Sequence, residues 1–180
     1  MSRNFTNNSY YFITVPTSRH IPFFNSPEKK LLILERINKV RDKFQLTNFD
    51  FGIISNHYHI VTYFKKARII PQLLQFVNGG SAYSLNKITG NKQTVWDEYH
   101  IYLIEDEELI TKVRGYVIGN PLKHNEVKNF EELKNYPFSS YNSIVKNIGE
   151  ETANEYIKSV IELDENKFIT IIKNNPAKVR

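Results

Sequence analysis

The sequence has no cysteine and no apolar run that approaches the length of a membrane span. The absence of cysteine excludes disulfide bonds and thiolate chemistry, and the lack of a long apolar run argues against a membrane protein. The stretch from Met1 to Asn8 contains no apolar signal core. Internal repeats, low-complexity tracts and linkers are missing as well. These absences predict a cytoplasmic protein of one domain, or of one domain with a small appendage.

Basic and aromatic residues are plentiful by contrast. The 180 residues carry a net charge of +5, which favours an anionic partner such as nucleic acid. The chain also has 12 Phe, 11 Tyr and 1 Trp, and part of these rings will lie in the core. The others can serve as platforms on which unpaired bases stack.

Two histidines stand two residues apart in the apolar and β-branched run 53–64. That composition favours a strand, in which residues i and i+2 leave the same face. His57 and His59 would then project side by side, with Tyr58 and Ile60 on the opposite face. Neutral imidazole is the commonest side-chain metal ligand, so the pair could form half of a divalent-metal site. The alternative is that both are half-buried sheet residues with ordinary hydrogen bonds.

The order of elements predicts the fold. The predicted elements are strand 9–15, helix 27–45, strands 48–54 and 57–64, helix 71–87, an extended segment 95–104, a helix from Glu105 to Asn120, and two short helices at 151–161 and 167–173. This order predicts an α+β ferredoxin-like sandwich, with an antiparallel sheet, helices mainly on one face and short C-terminal helices. Residues 1–145 form the predicted main domain, and 146–180 form a C-terminal helical extension of it.

The helix that begins at the acidic segment 105–108 has a second pair of polar residues. Tyr116 and Asn120 are four residues apart and share one helical face. A tyrosine on an apolar stripe is ordinarily a core residue, and an asparagine before Pro121 is ordinarily a cap. Gly115 and Gly119 flank the stripe, however, and together cost about 2 kcal/mol in helix propensity. Close backbone packing, or a helix that has to move, would justify them.

These motifs resemble the single-tyrosine HUH transposases, and in particular the REP-associated tyrosine transposases. Residues 56–59, Asn-His-Tyr-His, resemble the P-N-H-x-H element of that family. Residues 114–121, Arg-Gly-Tyr-Val-Ile-Gly-Asn-Pro, resemble its R-x-Y-I-x-x-N-P segment. Trp96 with the extended run after it resembles the W-x-x-x-(F/Y) element of one branch of the family. Residues 136–141, Tyr-Pro-Phe-Ser-Ser-Tyr, resemble the Y-P-W-S-S-Y element of the same branch. The four motifs stand in register between Tyr10 and Tyr141.

The chain also departs from the family pattern. Ser55 stands where the family usually has proline, and residues 122–127 replace the usual A-G-L-V stretch. Phe138 replaces a tryptophan, and the N-terminus lacks the basic G-R-P-type element of the branch.

The resemblance implies a metal-dependent enzyme that cleaves and rejoins single-stranded DNA near hairpins. His57, His59 and Asn120 would hold Mg²⁺ or Mn²⁺. Tyr116 would attack the scissile phosphate, which gives a 5′-phosphotyrosine intermediate and a free 3′-hydroxyl. Because the free pKa of tyrosine is about 10, the hydroxyl needs activation at neutral pH. His100 and water are both candidates for the base.

The same resemblance gives the basic and aromatic residues a role at the nucleic acid. The predicted DNA contacts are Lys65, Lys66, Arg68, Trp96, His100, Tyr102, Arg114 and Lys123. The expected partner is single-stranded or hairpin DNA, bound by a monomer or homodimer. Two alternatives remain open: a catalytically silent DNA- or RNA-binding protein of the same fold, and a metal-dependent phosphodiesterase that uses activated water.

Overall fold

The computed structural model describes residues 5–174, which are organised around a four-stranded antiparallel sheet. The strands are β1 (Ser9–Pro16), β2 (Thr47–Ile53), β3 (His57–Phe64) and β4 (His100–Ile104). Their order across the sheet is β2-β3-β1-β4. This is the order that a ferredoxin-like sandwich requires, and the predicted α+β class is confirmed.

Eight α-helices surround this sheet in the part of the chain that the structure describes. They are α1 (Pro27–Lys43), α2 (Ile70–Leu74), α3 (Gly80–Thr89), α4 (Glu107–Lys123), α5 (Phe130–Lys134), α6 (Tyr141–Ile148), α7 (Glu150–Lys158) and α8 (Glu165–Lys173). Helix α1 begins as predicted, because the Ser26 side chain accepts a hydrogen bond from the Lys29 N–H and Pro27 is the first helical residue. The predicted helix 71–87 is present as α2 and α3, joined by the π-helical turn Gln75–Gly79.

Helices pack on both faces of the sheet, whereas the sequence predicted them mainly on one. On one face, Ile13, Tyr58 and Ile60 join the buried residues of α1, α2 and α3 in the largest core. On the other face, Phe12 and Val61 join residues of α4 and α8 in a second core. Apolar or aromatic side chains of β1 and β3 point to both faces of the sheet. Each face is therefore covered by its own set of helices.

Helix α4 continues through Pro121 to Lys123, so the predicted end at Asn120 is wrong. Proline has no N–H, and the Val117 carbonyl therefore lacks its usual partner four residues on. That carbonyl lies against β2 at Gly52, where a Cβ atom would be only 2.2 Å from it. The proline thus stands where the helix is pressed onto the sheet, and the absence of a side chain at Gly52 makes this approach possible.

The C-terminal helices are packed onto α4. Ala153 and Ile157 of α7 lie in a third core with Ile118 of α4, and Phe168 of α8 lies in the second core. The predicted boundary after residue 145 remains a prediction, and α6 runs across it. Residues 175–180 of the predicted extension lie outside the described residues. Within 5–174, no helix has the length and apolar character that crossing a bilayer requires.

The two glycines of α4 are explained by close packing against α7. A Cβ atom on Gly115 would lie 2.2 Å from the Tyr156 carbonyl oxygen, and one on Gly119 would lie 2.7 Å from Cγ2 of Ile157. The two helix backbones are therefore too close for any side chain at position 115. Of the two explanations that the sequence left open, the structure supports close packing.

Gly115→Ala should lower the free energy of unfolding by about 1–3 kcal/mol, because α7 would have to move away from α4. Gly79→Ala is the matched control, since Gly79 has helical φ and ψ angles and nothing within 4 Å of its would-be Cβ. Alanine there should be neutral or stabilising by up to about 1 kcal/mol. Urea denaturation of both variants measures the difference. Equal stability of the two variants would contradict the close packing.

Candidate active site

His57 and His59 project from the same face of β3, as predicted. Their ring centroids are 4.7 Å apart. Tyr58 points to the opposite face, where its hydroxyl donates to Oδ1 of Asn78 at 2.6 Å. Nδ1 of His57 is 3.0 Å from Oδ1 of Asn56. Because that oxygen only accepts hydrogen bonds, the proton belongs on Nδ1, which leaves the Nε2 lone pair of His57 directed at the site.

Helix α4 brings Tyr116 and Asn120 to these histidines within one chain. The ring of Tyr116 is 5.4 Å from that of His59, measured between centroids. Asn120 follows one helical turn later on the same face. Tyr116 is 2% exposed, and Asn120 and His59 are fully buried. The four predicted residues thus form one cluster between β3 and α4.

The most informative feature of this cluster is its set of unpaired polar atoms. Nε2 of His57, both ring nitrogens of His59, the hydroxyl of Tyr116 and both amide atoms of Asn120 are buried without a hydrogen-bond partner among the described residues. Buried polar groups in native proteins are nearly always paired, and each unpaired one costs about 1–3 kcal/mol. So many in one place favour a site that a ligand completes over ordinary hydrogen-bonded sheet histidines, although Nδ1 of His57 does bond to Asn56.

Burial sets the protonation states in the cluster. It lowers the pKa of His57 to about 3, with a further contribution from the nearby His124. It also lowers the pKa of His59 well below its usual range. Both imidazoles are therefore neutral at pH 7, the form that binds metals. Burial raises the pKa of Tyr116, and Glu165 and Asp164 raise it further. The phenol is thus protonated in this conformation.

The residues fit a divalent metal in the predicted combination of two imidazoles and one amide. The unpaired nitrogens of His57 and His59 and the unpaired amide oxygen of Asn120 are the donor atoms that such a site needs. Among residues 5–174, no group of three or more histidine or carboxylate side chains is placed to hold a metal ion. A third protein ligand would therefore have to be a side chain of another type, and the Asn120 amide is the candidate in this cluster.

Helix α8 packs on Tyr116, and the sequence did not predict this contact. The ring of Phe168 stacks on that of Tyr116, with centroids 4.2 Å apart and planes at 17°. Glu165, at the start of the same helix, lines a cavity of about 420 Å³ together with His57. This cavity opens His57 to solvent, whereas His59 is fully buried and α8 packs on the ring of Tyr116.

His124 is a further histidine that sequence analysis missed. It caps α4 and continues the row Tyr116–Asn120–His124 at intervals of four residues. Its ring is 4.9 Å from that of His57, and it lines the same cavity as His20 and His100. The spacing was a signal that could have found it. His20 lines the same cavity but belongs to a loop far from α4 in sequence, so no spacing along the chain could have predicted its position.

Glu126 ties the end of α4 to the turn before His57. One carboxylate oxygen accepts the Ser55 N–H at 2.8 Å, and the other pairs with Nζ of Lys30 at 2.6 Å. The Lys30 side chain is only 7% exposed. A proline at position 55, as in the family pattern, would have no N–H to donate. The departure at Ser55 therefore creates a link between the histidine strand and the tyrosine helix.

The segment 136–141 also connects these two elements. The Ile53 N–H donates to the Phe138 carbonyl at 2.8 Å, and the Ser140 N–H donates to the Phe51 carbonyl at 3.0 Å, so the segment lies along β2. The Ser139 hydroxyl donates to the Ile118 carbonyl of α4 at 2.9 Å. The motif that resembles Y-P-W-S-S-Y thus helps to hold α4 on the sheet.

The predicted DNA contacts fall into three groups. Lys65, Lys66 and Arg68 are exposed, but they follow the end of β3 that is farthest from the histidines. At about 3.3 Å per strand residue, six residues separate Tyr63 from His57 by roughly 20 Å. These cations therefore do not border the histidine cluster.

A second group lies on or near the sheet. His100 is exposed at the start of β4 and lines the cavity with His57. Tyr102 is stacked on Phe12, with centroids 5.9 Å apart. Trp96 is instead a packing residue: its ring stacks on Phe24 at 5.0 Å, and its indole N–H donates to the Asn78 carbonyl.

Arg114 and Lys123 form the third group, and both are engaged within the protein. Nε of Arg114 is 2.7 Å from Oδ2 of Asp50, whose side chain is 5% exposed. Nζ of Lys123 donates to the carbonyls of Ile161 and Leu163 and lies 5.7 Å from the ring centroid of Tyr116. These two cations position α4 and the segment after α7, which is a different role from the predicted DNA contact.

Comparison with known proteins reveals similarity at the level of structure. No protein-family model and no curated protein matches the sequence. The fold is similar to that of a REP-associated tyrosine transposase whose structure was determined bound to a REP hairpin. The TM-score is 0.64 at 16% sequence identity, over 81% of this chain and 84% of that one. A protein from Deinococcus radiodurans R1 assigned as a transposase has a TM-score of 0.46 at 13% identity, over 64% of this chain and 93% of that one. The predicted resemblance to the REP-associated tyrosine transposases is confirmed as a resemblance in fold.

The buried imidazoles predict that the free energy of unfolding falls as the pH is lowered below about 6.5 in the presence of a chelator. Unfolded histidines take up a proton near pH 6.5, whereas folded His57 does so only at about 3. Between these values the unfolded state binds more protons, so acid favours unfolding, by at most about 1.4 kcal/mol per pH unit for each buried imidazole. Urea denaturation between pH 7.5 and 4.5 measures the slope. His57→Gln should flatten it, and an unchanged slope in that variant would contradict the burial of a neutral imidazole.

Proposed function

We propose that the chain is a DNA transposase of the HUH endonuclease type, which cleaves and rejoins single-stranded DNA near hairpins through a 5′-phosphotyrosine intermediate. The observation that carries this proposal is the convergence of unpaired buried atoms on His57, His59, Tyr116 and Asn120. The similarity in fold to a REP-associated tyrosine transposase supports it.

His57, His59 and Asn120 would hold Mg²⁺ or Mn²⁺ through the Nε2 atom of His57, a ring nitrogen of His59 and the amide oxygen of Asn120. When bound, the metal would polarise the scissile phosphate and neutralise the charge that develops on it. The protein fixes the ligands in advance: Asn56 sets the His57 tautomer, and Phe12 packs 5.3 Å from the ring of His59.

Tyr116 would act as the nucleophile. Its hydroxyl oxygen forms a bond to phosphorus, its proton passes to a base, and the bond from phosphorus to the 3′-oxygen breaks. The 3′-oxygen leaves as a hydroxyl after taking up a proton. A second 3′-hydroxyl can then attack the phosphotyrosine and release Tyr116, so strands are exchanged without external energy. His100, exposed in the cavity beside His57, and water both remain candidates for the base.

The covered tyrosine adds a requirement to this mechanism. The Tyr116 hydroxyl is buried under α8, and Glu165 and Asp164 of that region disfavour its ionisation. The groups that bury the hydroxyl would have to move before a phosphate could reach it, and α8, whose Phe168 stacks on the Tyr116 ring, is the element we propose to move. Displacement of α8 would therefore both open the site and remove the carboxylates that hold the phenol protonated.

The decisive experiment is incubation with single-stranded DNA that carries hairpins, followed by denaturing electrophoresis. The parent protein should form a covalent adduct, and Tyr116→Phe should abolish it. That variant should be at least as stable as the parent, because it removes only a buried hydroxyl without a partner. Tyr102→Phe, on the same sheet face, is the matched control and should still form the adduct.

Each outcome separates the candidate functions. An undiminished adduct in Tyr116→Phe would refute Tyr116 as the nucleophile. DNA cleavage without any adduct would identify a phosphodiesterase that uses water. DNA binding without cleavage or adduct would identify a silent binding protein.

Removal of the metal or its ligands should abolish cleavage. His57→Ala, His59→Ala and Asn120→Ala should each weaken Mn²⁺ binding by tenfold or more, since ligand-shell changes typically cost about 10–100-fold. Mn²⁺ should serve at least as well as Mg²⁺, because imidazoles suit softer ions than magnesium. Isothermal titration with Mn²⁺ gives a readout that is independent of DNA cleavage. Full cleavage by the parent protein in excess chelator would rule out the metal mechanism.

A further inference from the structure

A second concave surface lies at the end of the sheet farthest from His57 and His59. Two cavities of about 390 and 230 Å³ adjoin there, because Lys43 and Phe44 line both. We call this surface the distal groove. It is lined by residues of the segments 40–47, 63–69 and 72–76, which contribute three lysines, three aromatic rings and three glutamines.

The distal groove is positively charged. Lys43, Lys65 and Lys66 are exposed, and none of them forms an ion pair with another residue of the range 5–174. No aspartate or glutamate lines either cavity. Arg114, which lies near the candidate active site, differs from these lysines because it forms an ion pair with Asp50. The free lysines of the groove therefore favour an anionic ligand.

Aromatic rings and amides lie between the lysines. Phe44, Tyr63 and Phe76 are partly exposed. Cations of the protein already lie over two of these rings, with Nζ of Lys43 5.4 Å from the centroid of Phe44 and Cζ of Arg36 5.4 Å from that of Phe76, so Tyr63 is the ring that is open to a base. Gln45, Gln72 and Gln75 add side-chain amides, which can both donate and accept hydrogen bonds. Cations that track a phosphate backbone, together with rings on which bases stack, are the features of surfaces that bind single-stranded nucleic acid.

The backbone of the groove is irregular in three places. Gln45 and Asn48 have φ angles of 50° and 49°. At Gln45 this left-handed conformation ends α1 in the usual way, because the Leu46 N–H donates to the Arg41 carbonyl at 3.0 Å. The pairing of β2 with β3 shifts register between Thr47 and Asp50. The π-helical turn Gln75–Gly79 supplies Gln75 and Phe76 to the second cavity. Bulges and π turns are frequent at functional sites, and here one of each borders the groove.

The distal groove is separate from the candidate active site. Tyr63 lies six residues along β3 from His57, which corresponds to roughly 20 Å. No residue lines both the groove and the cavity beside His57. A ligand in the groove therefore cannot be the phosphate that Tyr116 would attack.

We propose that the distal groove binds a single-stranded segment of DNA, as a second site remote from the histidines. Lys43, Lys65 and Lys66 contact successive phosphates, and a base stacks on Tyr63. This inference goes beyond the proposed function, because the groove binds DNA whether or not Tyr116 cleaves it. A DNA substrate with one end in each site would be held at two points.

The test measures binding of a fluorescent single-stranded oligonucleotide of mixed sequence by anisotropy, across a salt series and in excess chelator. Tyr116→Phe serves as the background, so that no cleavage can occur. Lys65→Glu/Lys66→Glu should weaken binding about tenfold or more and reduce the slope of log K against log salt by about 1.4, which is 0.7 for each lost phosphate contact. Lys87→Glu/Lys92→Glu is the matched control, because both lysines are exposed and line neither cavity.

Equal losses in the two double variants would overturn the proposal, since only net charge would then matter. Equal competition by a polyglutamate of the same charge would overturn it too, because the groove would not distinguish DNA from another polyanion. Anisotropy titration of His57→Ala/His59→Ala in the same Tyr116→Phe background separates the two sites. This variant should keep the salt slope of the background protein, and a reduction as large as that of the Lys65/Lys66 variant would overturn the proposal.

Photo-crosslinking with 5-iododeoxyuridine locates the bound strand without relying on variants that alter charge. Peptide mapping should find crosslinks in residues 43–47 or 63–66. Crosslinks confined to peptides around His57, Tyr116 or His124 would place all binding at the candidate active site and refute a second site.

Discussion

The arrangement of the candidate site depends on how closely α4 approaches the sheet. The helix presses its Val117 carbonyl onto Gly52 of β2, at a place where a Cβ atom would be 2.2 Å from the oxygen. The buried ion pair between Arg114 and Asp50 fixes the same helix to the same strand one turn earlier. With these contacts in place, Tyr116 and Asn120 face the next strand, β3, where the histidines are. A side chain at position 52 would move Tyr116 and Asn120 away from the histidines.

This approach leaves six unpaired polar atoms between β3 and α4, and the rest of the structure has to compensate for their cost. Apolar packing surrounds the cluster on several sides. Phe168 stacks on Tyr116, Phe12 packs beside His59, and Ile157 of α7 fills the space next to Gly119. Burial of these apolar groups offsets the free-energy cost of the unpaired polar atoms. Proteins commonly compensate in this way for unfavourable local structure at functional sites. The short C-terminal helices are thus part of the support of the site.

The parts of the site that the sequence predicted are those set by local geometry. The period of two along a strand places His57 and His59 together, and the period of 3.6 along a helix places Tyr116 and Asn120 together. Their meeting across two elements followed only from the resemblance to a family. Lys30 and Glu126 pair although they are 96 residues apart, and no local pattern reports such a contact. The continuation of α4 through Pro121 was missed for a related reason: whether a proline ends a helix depends on what the freed carbonyl contacts, here Gly52 of a distant strand.

The placement of charge distinguishes two kinds of cation in this basic protein. Arg114, Lys30 and Lys123 are near the site and are bound to Asp50, Glu126 and main-chain carbonyls, so they hold the elements of the site in position. Lys43, Lys65 and Lys66 are unpaired within residues 5–174 and lie roughly 20 Å away. Unpaired cations close to two neutral imidazoles would disfavour a bound divalent metal by repulsion, whereas remote ones carry no such penalty. The separation is therefore compatible with both proposals, a metal at the histidines and a polyanion at the distant lysines.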